Sequence, residues 1–282
     1  MASGYSVKLF LPDGDPSGIK LVEKSNWTGI GLVFPRSLFS KIKEYDEAGR
    51  AGVYILAGPG SNPQLPTVYV GEGDPVQPRL DEHFRKKEFW THAVTFSSKD
   101  NNLNKAHIQY LEARLVELAK TAKRCEVENG NVPQKPTLSK ADQADMEAFL
   151  ADVLLCLPVL GFGYFEVAVA SQGRTDRFKI QSKGIVANGY ETSEGFVVSK
   201  GSQVSKEEAP SIHGYLKDQR AALLQQNVLN DRGSYFEFTI DYTFNSPSTA
   251  SGVVLGRSSN GREEWKTAEG RTLKAVQEAW TV

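Results

Sequence analysis

Gly52-Val53-Tyr54-Ile55-Leu56, a loop rich in glycine, proline and asparagine over 57–66, and Thr67-Val68-Tyr69-Val70-Gly71 form the stretch on which the fold turns. Two short β-prone runs joined by turn residues predict a hairpin. Side chains alternate along a strand, so Val53 and Ile55 share one face and Tyr54 takes the other. In the second run Val68 and Val70 go one way and Tyr69 the other. Pairing that puts the aliphatic faces on one core sends both phenols out on the opposite face.

Downstream, 74–87 reads as a helix, because Pro75 or Pro78 is tolerated in a first turn. Arg79, His83 and Lys86/Lys87 then form one polar stripe, with Leu80 and Phe84 beside it. A second helix is expected over about 102–123, burying Ile108, Leu111, Leu115 and Leu118. Glu112 edges that apolar stripe, where a carboxylate is costly unless a cation meets it. The cation is either a metal or a structural partner such as Arg79 or Arg114.

Two tyrosines, an arginine, a histidine and a half-buried glutamate in this order resemble the GIY-YIG nuclease family. The signature reads Gly52-Val53-Tyr54 and Tyr69-Val70-Gly71 here, with valine for isoleucine in both halves. The resemblance spans roughly residues 47 to 125 and maps the family's site onto Tyr54, Tyr69, Arg79, His83 and Glu112. It implies a metal-dependent endonuclease that hydrolyses DNA phosphodiester bonds, with Glu112 as the ligand of Mg²⁺ or Mn²⁺. A lone carboxylate suits such an ion, which keeps several waters. Arg79 would grip the scissile phosphate. Tyr54 would act as general base or position the water, and at a reference pKa of about 10 the former needs cations nearby. Tyr69 would bind the phosphate or order the water, while His83 would accept a proton or hold Tyr54. Asn104 and His107 read as supporting site residues or as a helix cap and a surface histidine. Asn129 or Asn131 loosely matches a downstream family asparagine. The alternative reading is a catalytically inactive DNA-binding or scaffold protein, and a third is a structural protein whose hairpin tyrosines only pack.

The composition agrees with an ordinary globular protein: 282 residues, 40% hydrophobic and 24% charged, at a formal net charge of −1. DNA contact therefore calls for a local basic patch. Cys125 and Cys156 sit in no metal or redox spacing, and with no signal peptide or membrane-length run evident, a cytoplasmic location is expected.

The fold class expected is α+β, with a short antiparallel sheet flanked by helices at its centre. Residues 1–46 form a β-rich segment, with strands over 5–11, 18–24 and 28–34 and a helix over 35–45, too small to hold a core alone. Trp27 reads as a packing aromatic and Arg36 as a solvated charge. Residues 47–160 form the GIY-YIG-like domain, with a third strand over 92–96, a turn over 128–133, and a helix over 139–157 that opens on Ser139 and Asp142 and stops at Pro158.

Residues 161–282 form an α+β domain. Strands are expected over 165–169, 178–180, 195–198 and 235–243. A helix over 211–229 would bury Ile212, Tyr215, Leu216 and Leu223. The tail, from Ser246-Pro247 through Trp265 to a short last helix, resembles an uncharacterised module that often follows GIY-YIG domains in bacterial proteins. Gly256, Gly261 and Gly270 read as turn glycines rather than a phosphate loop. Arg174, Arg177, Lys179, Lys183, Arg257, Arg262, Lys266 and Arg271 are candidates for a DNA-facing surface, so this domain would set target choice or recruit a partner.

Overall fold

The computed structural model describes residues 4–60, 65–131, 133–165, 177–193 and 195–279. The chain is α+β and divides into two compact units, Met1–Glu166 and Val167–Val282. Residues 1–46 and 47–160 thus lie in one unit.

In the first unit the chain runs β1 (Val7–Phe10), β2 (Lys20–Lys24), β3 (Gly29–Pro35), a 3₁₀ segment (Arg36–Glu44), β4 (Gly52–Gly58) and β5 (Thr67–Gly73). Then follow α1 (Gln77–Lys86), β6 (His92–Ser98), α2 (Lys105–Ala122), β7 (Glu126–Val127) and α3 (Lys140–Val159). The β4–β5 hairpin forms with Tyr54 opposite Gly71 and Leu56 opposite Tyr69. The sheet is wider than the hairpin and its third strand. Strand β6 pairs with β3 as well as β4, which draws in the N-terminal strands and gives seven in the order β1-β2-β3-β6-β4-β5-β7. Among the described residues only β5 and β7 pair in parallel.

Both faces of the sheet are buried at its central strands β3, β6 and β4. Val53, Ile55, Val68 and Val70 pack with Ile108, Leu111 and Leu115 of α2 and with Phe149 and Val153 of α3. Tyr54 and Leu56 pack on the other face with Phe34, Phe39, Ile42, Leu80 and Trp90. Each fully buried aliphatic or aromatic side chain contributes about 1.5–3 kcal/mol. The phenol face is therefore a second core rather than an open surface.

Several local expectations need correction. Residues 36–44 wind as a 3₁₀ segment rather than an α-helix. Arg36 is no solvated charge. Its guanidinium donates to the carbonyls of Lys87 (2.8 Å) and Phe84 (2.7 Å) at the end of α1, and lies over the rings of Phe84 and Trp90. Orphan C-terminal carbonyls and the helix dipole both favour a cation there. Trp27 does pack, between Phe96 and Phe149. Helix α3 opens on a Ser139 cap bonded to Asp142, but Pro158 lies inside its last turn. Termination comes from Gly161 at φ +85°, where Phe162 N–H returns to the Leu157 carbonyl and Gly161 N–H to that of Pro158.

The second unit contains β8 (Arg177–Ser182), β9 (Ile185–Thr192), β10 (Gly195–Val198), β11 (Gln203–Ser205), α4 (Gly214–Gln225), β12 (Leu229–Asp231), β13 (Tyr235–Phe238) and β14 (Tyr242–Phe244). Helices α5 (Pro247–Leu255), α6 (Gly261–Glu264) and α7 (Leu273–Glu278) complete it. One sheet is ordered β14-β10-β9-β8 and another β11-β13-β12. The single strand expected over 235–243 is thus two, in different sheets. Tyr215 is exposed on α4, whereas Ile212, Leu216 and Leu223 are buried. The start of the tail is helix α5, with Ser246 as cap and Pro247 in its first turn.

Gly256 caps α5 at φ +65° and Gly270 turns at φ +83°. Gly261 instead opens α6 against the backbone of Pro247, where a Cβ would collide. Of the basic residues proposed for a DNA-facing surface, Arg257 pairs with Glu264 (2.6 Å), Arg177 lies over Tyr190, and Lys179 bonds Lys266 through the backbone. Arg174 and most of the strand expected over 165–169 lie outside the described residues. No helix among the described residues is long and apolar enough to cross a membrane.

Candidate active site

The site grows from every second residue of β5. Tyr69, Gly71 and Gly73 share a face with Tyr54 and Leu56, since opposed residues in an antiparallel pair point the same way. A Cβ on Gly71 would collide with the Tyr54 ring and hydroxyl, and one on Gly73 would collide with the backbone of Pro75 and Val76 and crowd the Arg79 stem at 3.2 Å. Gly71 thus makes room for the tyrosine, and Gly73 for the turn into the helix that carries the arginine. Helix α1 lies over them and adds His83, whose ring centre stands 4.7 Å from Tyr69 and 5.8 Å from Tyr54.

His83 was expected on a polar stripe, yet it is buried beside Leu80, and Phe84 is the more exposed neighbour. Both His83 ring nitrogens lack partners. Burial, then Arg79 and Lys87, push its pKa down to about 4, so the imidazole is neutral near pH 7 and a weaker base than an ordinary histidine. It makes no hydrogen bond to Tyr54.

Tyr54 is fully buried and its hydroxyl has no hydrogen-bond partner. Arg79 and Tyr69 come near enough to bias its ionisation without closing a bond of normal geometry. Burial pushes this phenol far above its ordinary value, and Tyr69 and Glu112 add to that more than Arg79 subtracts. As it stands Tyr54 is a protonated donor, and a role as base requires added positive charge. Tyr69 is half-buried and also raised, by burial and then by Glu112. Lys87 lies 4.5 Å over its ring and is anchored to Glu128 at 2.8 Å. Arg79 is the exposed member, its side chain 48% accessible and bonded to Glu82 at 2.8 Å.

Glu112 approaches differently. Helix α2 packs on the face opposite the phenols. Its carboxylate nevertheless acts on Tyr54, Tyr69 and Arg79, and also on Glu72 and Lys105 of its own side. Past Val70 no strand pairs outside β5 among the described residues, so little backbone screens Glu112 from the phenol side there. Burial first, then Glu72, push its pKa up to about 7. Among the described residues Glu112 makes no hydrogen bond or ion pair, and Arg114 is engaged instead by Glu147 (2.6 Å) and Glu117 (2.7 Å).

Tyr54, Tyr69 and His83 thus form a closed aromatic–imidazole cluster with Arg79 at its rim, and Glu112, on the helix that packs on the other face of the sheet, reaches it electrostatically rather than by lining one open cleft. Cavities of about 580 and 610 Å³ lie at the two ends of the hairpin, and none of the five lines either. Among the described residues no group of three or more His, Cys, Asp or Glu side chains gathers as a metal cage.

Sequence reasoning passed over Gly73, Glu72 and Lys105. The alternate glycines of Tyr69-Val70-Gly71-Glu72-Gly73 were the available signal for the first. The Lys105–Glu72 ion pair, at 2.5 Å, joins residues far apart in sequence and carried none. Asn104 and His107 build a reciprocal cap on α2. Asn131 is exposed. Asn129 accepts from Val70 N–H (3.0 Å) and donates to the Val70 carbonyl (2.7 Å), replacing the missing strand between the two site positions Tyr69 and Gly71. Asn129→Ala would leave both buried backbone groups unpaired, and urea unfolding should show a loss of about 2–4 kcal/mol. A loss below about 0.5 kcal/mol would mean that β5 holds its edge without it.

The second unit has a known relative. Residues 178–277 match a domain of unknown function, DUF4357. The match covers about a third of the chain, lies within the expected 161–282 domain and takes in most of the tail from Ser246 that resembles an uncharacterised module. No curated protein matches the chain, and no solved structure does. The GIY-YIG-like reading of residues 47–160 rests on the residues and geometry described above.

Proposed function

We propose that the chain is a metal-dependent endonuclease that hydrolyses DNA phosphodiester bonds through Tyr54, Tyr69, Arg79, His83 and Glu112, with the DUF4357 unit setting target choice. The observation that carries this reading is an exposed guanidinium beside a fully buried, unpartnered phenol hydroxyl, both within electrostatic reach of a carboxylate that has no ion pair. The phenol hydroxyl and the carboxylate each lack a partner that a phosphate and a cation would supply, and Arg79 would exchange its Glu82 contact for the phosphate.

A single Mg²⁺ or Mn²⁺ fits the donor set. Its hard oxygen ligand would be Glu112, a carboxylate that burial and then Glu72 disfavour as an anion and that makes no ion pair among the described residues. When bound, such an ion polarises the phosphoryl oxygens and makes a bound water more acidic. The chain's own residues do the rest. Arg79, always charged and fork-shaped, grips the phosphate oxygens from the exposed rim. Tyr54 and Tyr69 offer hydroxyls that position water and phosphate without reorganising as charge develops. The neutral His83, its ring tilted against both, would take a proton at a ring nitrogen once the negative charge of a bound phosphate raises its basicity.

The test is conversion of supercoiled plasmid to nicked or linear forms, with Mg²⁺ and with chelator, by the parent chain and by Glu112→Ala. Cleavage that needs both the metal and Glu112 supports the proposal. A parent chain that binds the plasmid and never cuts it favours the inactive DNA-binding reading instead.

A further inference from the structure

At one end of the β4–β5 hairpin a polar cavity of about 610 Å³ is lined by Asp46, Arg50, Asp74, Asn101, Asn104 and Lys105, among others. Resting on the nuclease reading, we propose that this cavity holds a DNA phosphate adjacent in the strand to the one cleaved, contacted by Arg50 and Lys105.

The first support is Arg50 itself. Its Nη1 is buried and has no hydrogen-bond partner. An unpaired guanidinium nitrogen away from water is costly, and because the half-buried Arg50 also lines the cavity, an anion there meets the guanidinium from its accessible side and offsets its charge. Lys105 stands on the same cavity with its side chain 57% accessible. It is the first residue of the eighteen-residue helix α2, whose N-terminal end carries partial positive charge.

The second support is position. Gly71 lies under Tyr54, Glu72 holds Lys105, Gly73 backs Arg79, and Asp74 lines the cavity. Four consecutive residues therefore lead from the cluster to the cavity, a span of roughly 10 Å. That is too far for one phosphate to reach both ends, and neighbouring phosphates of one strand would span it with side chains reaching in from each end. Asp46 and Asp74 also line the cavity, but both are exposed and screened by solvent, whereas Arg50 Nη1 is not.

The full chain carrying Glu112→Gln, which should not cut, is titrated against a short fluorescein-labelled DNA duplex at several salt concentrations. Adding Arg50→Gln should weaken binding about tenfold and reduce the slope of log affinity against log salt by about one, the signature of one lost phosphate contact. Arg50→Lys should restore most of the slope. If Arg50→Gln does not fold, Lys105→Gln takes the same measurement and should shift it in the same direction. Unchanged affinity and slope, from a chain that cuts plasmid when Glu112 is intact, would overturn this inference and leave the nuclease reading standing. A parent that neither binds nor cuts DNA would end both. Inorganic phosphate at matched ionic strength that raises the melting temperature of the parent but not of Arg50→Gln, with DNA affinity equal in the two, would assign the cavity to a free anion and overturn it as well.

Discussion

Glu112→Gln should lower plasmid cleavage by roughly 10³-fold or more while leaving the metal-free protein as stable as the parent or more so. The two effects share one cause. Burial and the nearby Glu72 raise the carboxyl from 4.5 to about 7. Below pH 4.5 the side chain is protonated whether the chain is folded or not, and its ionisation does not affect stability. Between 4.5 and 7 the folded state keeps a proton that the unfolded chain has released, so stability falls as pH rises. Above 7 the whole penalty stands, at most about 3 kcal/mol. Glutamine keeps the shape and has no proton to lose. The stability difference between variant and parent should therefore grow from near zero at acid pH to a plateau above neutrality, read by urea titration in chelator. A variant less stable than the parent throughout would make Glu112 a structural partner of Arg79, and a variant that cuts normally would remove it from the site.

The same residue shows where the sequence is informative and where it is silent. That Glu112 edges an apolar helical stripe follows from spacing alone, because Ile108, Leu111 and Leu115 recur at helical period and all three are buried. The hairpin was legible for a similar reason, since valines and tyrosines alternate with period two. What the spacing lacks is the identity of the layers. The face carrying Tyr54 looks free when β4 and β5 are read alone. It is covered because β6 joins β3 and brings Phe34, with Phe39 and Trp90, across it. Those contacts cross long stretches of chain, and no local pattern announces them. Helical phase failed at His83 by the same route. A titratable residue beside lysines reads as solvated until the aromatic pair beneath it is known. In the second unit, the run 235–243 alternates well enough for one strand, and the break into β13 and β14 is visible only once each half has found a different sheet.

Tyr54→Phe should make the protein more stable and much less active. The hydroxyl is buried and unpartnered, so its removal relieves an unsatisfied polar group and should stabilise by about 1 kcal/mol, with the ring still filling the space over Gly71. The aromatic contacts to Tyr69 and His83 are ring contacts and survive. If that hydroxyl is held without a partner because its partner is the substrate's phosphate or the attacking water, cleavage should fall by about 10²–10⁴ with Mg²⁺ present. DNA affinity should stay within about twofold, since phosphate charge is met chiefly by arginine and lysine. Single-turnover cleavage, thermal melting and anisotropy on one preparation read all three quantities. Opposite signs for stability and rate mark a group kept for chemistry against the interest of the fold. A gain in stability with no loss of cleavage would make Tyr54 a packing residue and move the search for the water-positioning group to Tyr69, whose hydroxyl stands on the same face nearer to solvent.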